Sequence, residues 1–184
     1  RTLNKLMFTT STSITHKLVG PFAAIAKTSP VAIGTLTTKA KRKAANYISF
    51  AGAIPTYKEL ILMRALALLK GIEGLNPCFV MDEYTKGELE STERTPGSGR
   101  MIVENGAIAG VPIFTTNYIN DDENTYVGFG YWGYEPLQGF GQQRFIIDPY
   151  TGASSDSVRM TLNADWSMTT LRPEAFVLGK CASE

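Results

Sequence analysis

Between Val158 and Met168 the sequence alternates apolar and polar residues without a break. Val158, Met160, Leu162, Ala164, Trp166 and Met168 fall on one side, and Arg159, Thr161, Asn163, Asp165 and Ser167 on the other. A period of two is the pattern of a β-strand, and it predicts a single strand with one dry face. At roughly 3.3 Å per residue this strand reaches about 35 Å, well beyond the usual length. The chain then closes with Arg172-Pro173-Glu174-Ala175-Phe176-Val177-Leu178, in which Pro173 marks a strand edge or a break between strands.

Upstream, the clearest helix signal spans Thr56 to Lys70. Thr56 and Glu59 have the spacing of a capping box, and Leu60 to Leu69 are strong helix formers. The apolar residues run almost all the way round, which predicts cover on more than one side, by a sheet or by a second subunit. Gly71 and Gly74 end the helix, Asn76-Pro77 turns into a strand that begins at Cys78, and Asp82 reads as the N-cap of a shorter helix to about Leu89. Ser91 to Gly99 and Asp121 to Asn124 read as exposed loops. Further strands are expected at Val111 to Thr116, Thr125 to Tyr131, Arg144 to Ile147 and Ala175 to Gly179, with a tight turn at Asp148 to Gly152. The first 38 residues carry only a weak helix signal, His16 to Lys27, and Lys39 to Lys43 read as a basic, solvated loop that could alternatively face DNA or an acidic neighbour. The class is α+β, with helices gathered early and antiparallel strands late.

Composition narrows the function. The chain has 184 residues, 43% of them hydrophobic and 19% charged, enough to bury a core in one or two units. Its net charge of +1 provides no global field to attract nucleic acid or an anionic membrane. No apolar run approaches the length of a membrane span, so no membrane partner is expected. Cys78 and Cys181 have no second Cys or His at metal-ligand spacing. Both are expected to be free thiols, Cys78 in an apolar run and Cys181 in a mobile tail.

Chemistry-bearing constellations are not found: no catalytic, cofactor-binding or metal residues are assigned. His16 stands alone in a Ser/Thr-rich context, and the acidic cluster Asp121 to Glu123 lacks the glycine and closing glutamate of a calcium loop. Gly128-Phe129-Gly130 and Gly139-Phe140-Gly141 lack the Gly-Lys-Ser/Thr ending of a phosphate loop, and read as glycines that relieve crowding beside aromatic rings. Those rings, from Tyr126 to Phe140, could form a core or, alternatively, a small carbohydrate- or nucleic acid-binding module. Arg172 and Glu174 read as an ordinary surface ion pair, with an intersubunit pair as the alternative.

Five blocks stand in a familiar order: Pro55-Thr56-Tyr57-Lys58-Glu59-Leu60 with Asn76-Pro77-Cys78-Phe79-Val80-Met81; Gly99-Arg100-Met101-Ile102; Ile108-Ala109-Gly110-Val111-Pro112-Ile113; Tyr126-Val127-Gly128-Phe129-Gly130; and the long strand followed by Arg-Pro-Glu-Ala-Phe. Together, from about Ala53 to Lys180, they resemble the C-terminal portion of the major capsid proteins of tailed double-stranded DNA bacteriophages and prophages, the Hong Kong 97 fold family. The resemblance implies a mixed or antiparallel sheet with flanking helices. Its division would be a remnant of the peripheral domain at 1–52, an axial domain at 53–168, and a return strand to the peripheral domain with a tail at 169–184. It also implies self-assembly into capsomers and an icosahedral shell, without cofactors or catalysis. Expected partners are other copies of itself, a scaffold, a maturation protease, a portal and packaged DNA bound without sequence specificity, with assembly in the bacterial cytoplasm and residence in the virion. An encapsulin-type nanocompartment shell is the alternative within the fold. No cross-linking residues can be carried over. Because the sequence begins with Arg1, the expectation is a processed or truncated subunit lacking its N-terminal arm and much of a long hairpin loop, which folds but remains monomeric or forms small rings.

Overall fold

Tyr126–Tyr131 (β6) is buried along its whole length and lies at the centre of the main sheet. The structure, a computed structural model, describes residues 21–72, 74, 76–120, 124–148, 150 and 158–182. His16 and Asp121 to Glu123 lie outside them.

Four helices and nine strands are described: α1 (Pro21–Ile25), β1 (Val31–Ala32), α2 (Lys39–Ala44), β2 (Tyr47–Ser49), α3 (Tyr57–Leu69), β3 (Pro77–Met81), α4 (Glu83–Ser91), β4 (Ala107–Ile108), β5 (Val111–Thr115), β6, β7 (Leu137–Asp148), β8 (Arg159–Met168) and β9 (Phe176–Lys180). Seven strands form one sheet in the order β1-β2-β9-β6-β3-β5-β4, and β7 and β8 form a separate two-stranded sheet.

The main sheet is mixed. β1, β2 and β9 run parallel, β9, β6 and β3 alternate, and β3 and β5 are again parallel. The late strands pair antiparallel with one another, β6 with β9 and β7 with β8, as expected, and the parallel pairs each involve one of the early strands β1, β2 and β3. Parallel neighbours need a crossover, and α2 and α4 supply one each, between β1 and β2 and between β3 and β5.

Local chemistry explains the helices. At α3 the Thr56 hydroxyl accepts the Glu59 N–H at 3.4 Å and the Glu59 carboxylate accepts the Thr56 N–H at 2.8 Å, so the capping box is formed. The buried carboxylate also accepts the Ala51 N–H at 3.2 Å, which ties the strand-to-helix turn to the helix it starts. Asp82 caps α4 by accepting the Thr85 N–H. The basic run expected as a loop is a helix, because Thr38 caps it through the Lys41 N–H and the Arg42 guanidinium donates to the Leu36 and Thr37 carbonyls at 2.8 and 2.7 Å. The early helix signal is realised as α1 with Pro21 at its first position.

Packing is set by rings against glycines. On one face of β6, a Cβ on Gly128 would lie 2.5 Å from the Phe22 ring, and one on Gly130 would overlap the Phe176 ring. Phe22, Phe176 and Trp132 meet edge to face there, with centroids 5.6 to 6.0 Å apart. On the other face, Phe129 packs at 4.9 Å from Phe79, and Phe50 occupies the space beside Gly179. α3 covers that face across β9 and β6 with Leu60, Met63, Leu66 and Ala67, while Leu62, Leu68 and Leu69 are exposed. Besides the sheet, α2 packs against α3, and the Arg94 guanidinium lies 5.0 Å from the Tyr57 ring centroid, so α3 is contacted on more than one side.

One further expectation is corrected. The strand predicted at Arg144 to Ile147 is a third of β7, because Gly139 and Gly141 are strand residues; Gly141, at φ +74°, lies in the register shift between Phe140 and Arg144 that keeps the long pairing going. β2 and β9 belong to the same sheet as β3, β5 and β6, and the segment that leaves it is β7–β8.

The ring-on-glycine packing predicts that Gly130→Ala lowers stability by about 1–3 kcal/mol through overpacking. Gly87→Ala in α4, where an added Cβ meets nothing within 4 Å, should raise it by about 0.5–1 kcal/mol. Urea midpoints of the two variants, moving in opposite directions, check both.

Candidate functional site

Large apolar side chains are exposed at the far end of the β7–β8 hairpin, and they fall into register. Phe145 pairs with Leu162 and Ile147 with Met160, so these four share one face. Arg144 with Asn163, Ile146 with Thr161 and Asp148 with Arg159 share the other. Phe145, Ile147 and Met160 are 59%, 57% and 63% exposed, and Val158 is exposed as well. The face expected to be dry at Val158, Met160 and Leu162 is thus apolar but, among the described residues, uncovered at Val158 and Met160: alternation marks the face that favours burial. The Tyr150 N–H donates to the Asp148 carboxylate at 2.9 Å, which opens the expected turn; its remainder lies outside the described residues.

The hairpin's root is well held. The Leu171 N–H donates to the Tyr134 carbonyl at 2.9 Å, and the Arg172 guanidinium stacks 5.7 Å from the Tyr134 ring centroid. Arg172 thus stacks on Tyr134, and among the described residues it forms no ion pair with Glu174. Pro173 opens a 3-10 turn, Pro173–Ala175, that leads directly into β9.

None of the sequence's chemistry candidates is brought into a reactive arrangement. The Cys181 thiol is buried, and its backbone N–H is bonded to Thr125, so the expectation of a mobile tail is corrected. Burial, reinforced by the Asp82 and Glu59 carboxylates, pushes its pKa up to about 12. Burial also raises the Cys78 thiol. Neither thiol is activated as a nucleophile. Among the described residues no group of three His, Cys, Asp or Glu could hold a metal ion, and no helix is long and apolar enough to cross a membrane. Tyr126, Phe129 and Tyr131 are core residues, so these three rings are not available as an exposed stacking surface. Gly128 and Gly130 relieve crowding against rings, as expected.

Lys70 was not singled out by sequence reasoning. It follows α3, and its half-buried ammonium donates to the Ala45 carbonyl at 3.0 Å. Burial lowers its pKa to about 8, against the opposing pull of Glu174. A lysine after an apolar helix carries no distinctive signal, because the cause lies in the long-range contact with Ala45.

No protein-family model and no curated protein matches the sequence. Solved structures do. The capsid of the native GTA particle superposes with a TM-score of 0.60 at 19% identity, over 86% of this chain and 55% of that one. The chain has the fold of a Hong Kong 97-type capsid subunit. The capsid of the empty GTA particle gives 0.56 at 18% identity over 86% of this chain and 56% of that one, and the Gordonia phage Cozz structure 0.52 at 15% over 82% and 53%. This capsid fold is therefore present here over about half the length of the chains it matches.

Lys70 yields a pH prediction. Its folded pKa, about 8, lies below its ordinary 10.5, so the unfolded chain binds more protons between these values and stability rises with pH there. Above about pH 9 the unfolded Cys181 ionises while the folded thiol does not, which lowers stability. Urea midpoints should therefore increase from pH 7.5 to 9 in the wild type, and this increase should be lost in Lys70→Met.

Proposed function

We propose that the chain is a structural subunit of a phage or prophage icosahedral shell, whose work is self-association. The observation that carries this reading is the capsid fold over 86% of the chain. The hairpin supports it: a two-stranded ribbon with Phe145, Ile147 and Met160 in water is marginal by itself and gains its second layer on assembly.

On this reading the seven-stranded unit is the axial domain and β7–β8 belongs to the peripheral one, with β9 returning to the axial sheet. The subunit performs no catalysis. It encloses double-stranded DNA without reading its sequence, assembles in the bacterial cytoplasm with a scaffold, maturation protease and portal, and ends in the virion.

Light scattering and negative-stain microscopy of the full-length gene product test the reading. Closed shells are the expected result; a strictly monomeric product at every salt and concentration would sink it. In the same assay, replacing Phe145, Ile147 and Met160 together by Ser should abolish shells. Thermal stability of the isolated chain should stay within about 0.5 kcal/mol per site, because these side chains are already exposed.

A further inference from the structure

The net charge of +1 conceals a segregation. Residues 1–58 hold nine of the eighteen lysines and arginines and none of the seventeen aspartates and glutamates. Residues 59–184 hold nine basic against seventeen acidic residues, a formal charge of −8.

The fold converts this division into two edges. Lys27 precedes β1, and Lys39, Lys41 and Lys43 lie on α2, in the crossover between β1 and β2; all four are exposed. Arg42 in the same helix is occupied by the Leu36 and Thr37 carbonyls. β1 is the outermost strand on this side. At the opposite side, the segment from Asp82 to Glu104 crosses from β3 to the β5–β4 edge with six carboxylates against Lys86, Arg94 and Arg100. Lys86 is engaged by Glu83 at 3.1 Å and Glu90 at 3.8 Å, and Arg94 by Glu104 at 3.3 Å. Glu83, Glu90 and Glu104 are exposed.

Six strand spacings of about 4.8 Å put the two edges roughly 29 Å apart. That is several times the Debye length of about 8 Å at physiological salt, so the edges do not neutralise each other and each presents its own local field.

We propose that copies of this chain dock head to tail, the basic β1–β2 edge of one against the acidic β5–β4 edge of the next. The contact is heterologous, so repetition closes a ring or extends a filament. The proposal rests on the self-assembly reading above and names the surfaces it would use. A second copy fits these edges better than nucleic acid does. The same molecule carries the counter-charge in nearly equal amount, and no aromatic residue lies between Phe22 and Tyr47 to stack a base beside the lysines.

Two charge-reversed chains test it: Lys39→Glu/Lys41→Glu/Lys43→Glu, and Glu88→Lys/Glu90→Lys/Glu104→Lys, each checked for folding by circular dichroism. Sedimentation velocity in 50 mM salt should show wild-type association that weakens as salt rises. Each variant alone should associate at least about tenfold more weakly, since like charges then face each other. An equimolar mixture of the two should return to the wild-type range, a rescue that loss of folding cannot produce. The proposal is overturned if the wild-type chain does not associate, if either reversal leaves association unchanged, or if the mixture of folded variants is not rescued. It is equally overturned if the lysine variant loses binding only to a 30-base-pair duplex, which would make the edge a phosphate-binding surface. Shells formed by full-length protein carrying the reversed lysines would remove the edge contact while leaving the shell reading standing.

Discussion

Phe22 over Gly128, Phe176 over Gly130 and Phe50 over Gly179 place three rings against bare backbone at the centre of the main sheet. Each contact joins segments far apart in sequence. Phe22 belongs to α1, Phe50 to the turn before α3, and Phe176 to the first position of β9. Any side chain at Gly128 or Gly130 would force a ring out of a face on which Trp132 also packs edge to face. The position of α1, the entry to α3 and the insertion of β9 between β2 and β6 therefore all depend on the same absence of Cβ atoms.

A second constraint acts at the ends of the strands. The Glu59 carboxylate accepts from Thr56 and from Ala51, the Phe50 N–H donates to the Lys180 carbonyl, and the Ala182 N–H donates to the Gly52 carbonyl. The start of α3 and the end of β9 are thereby fixed to one turn. Burial of Cys181 beside Asp82 and Glu59 follows from this closure and explains why the last described residues are ordered against the sheet rather than hanging from it.

Features set by near neighbours were legible in the sequence. The capping box at Thr56 and Glu59, the Asp82 cap, the strands at Cys78, Val111 and Thr125 and the glycines beside aromatics all follow from chemistry within a few residues. Features set by distant contacts were not. Pairing of β9 with β2 and β6 cannot be read from Phe176-Val177-Leu178, which is apolar on both faces. α2 was missed because a run of lysines looks solvated until Arg42 is seen bonding back to Leu36 and Thr37. On the hairpin, the alternation of β8 named its apolar face correctly but could not show what covers it. The charge division at residue 58 was present in the sequence, concealed by taking the net charge over the whole chain.

The two parts of the molecule differ in how far they satisfy themselves. In the main sheet, Phe79, Phe129, Val177 and Leu178 have no exposed surface, and helices or rings lie on both faces. In the hairpin, nine residue pairs run outward, and among the described residues no layer lies over Phe145, Ile147 and Met160. Burying such side chains stabilises by about 1.5–3 kcal/mol each, an amount the isolated chain forgoes. A monomeric protein gains nothing from a ribbon built this way, whereas a subunit that meets copies of itself recovers that burial at every contact and, through repetition, multiplies it. The asymmetry is therefore between a closed core and an open ribbon: the sheet is satisfied by its own rings and helices, and under the self-association proposed above the hairpin supplies the apolar surface that a neighbouring copy would cover.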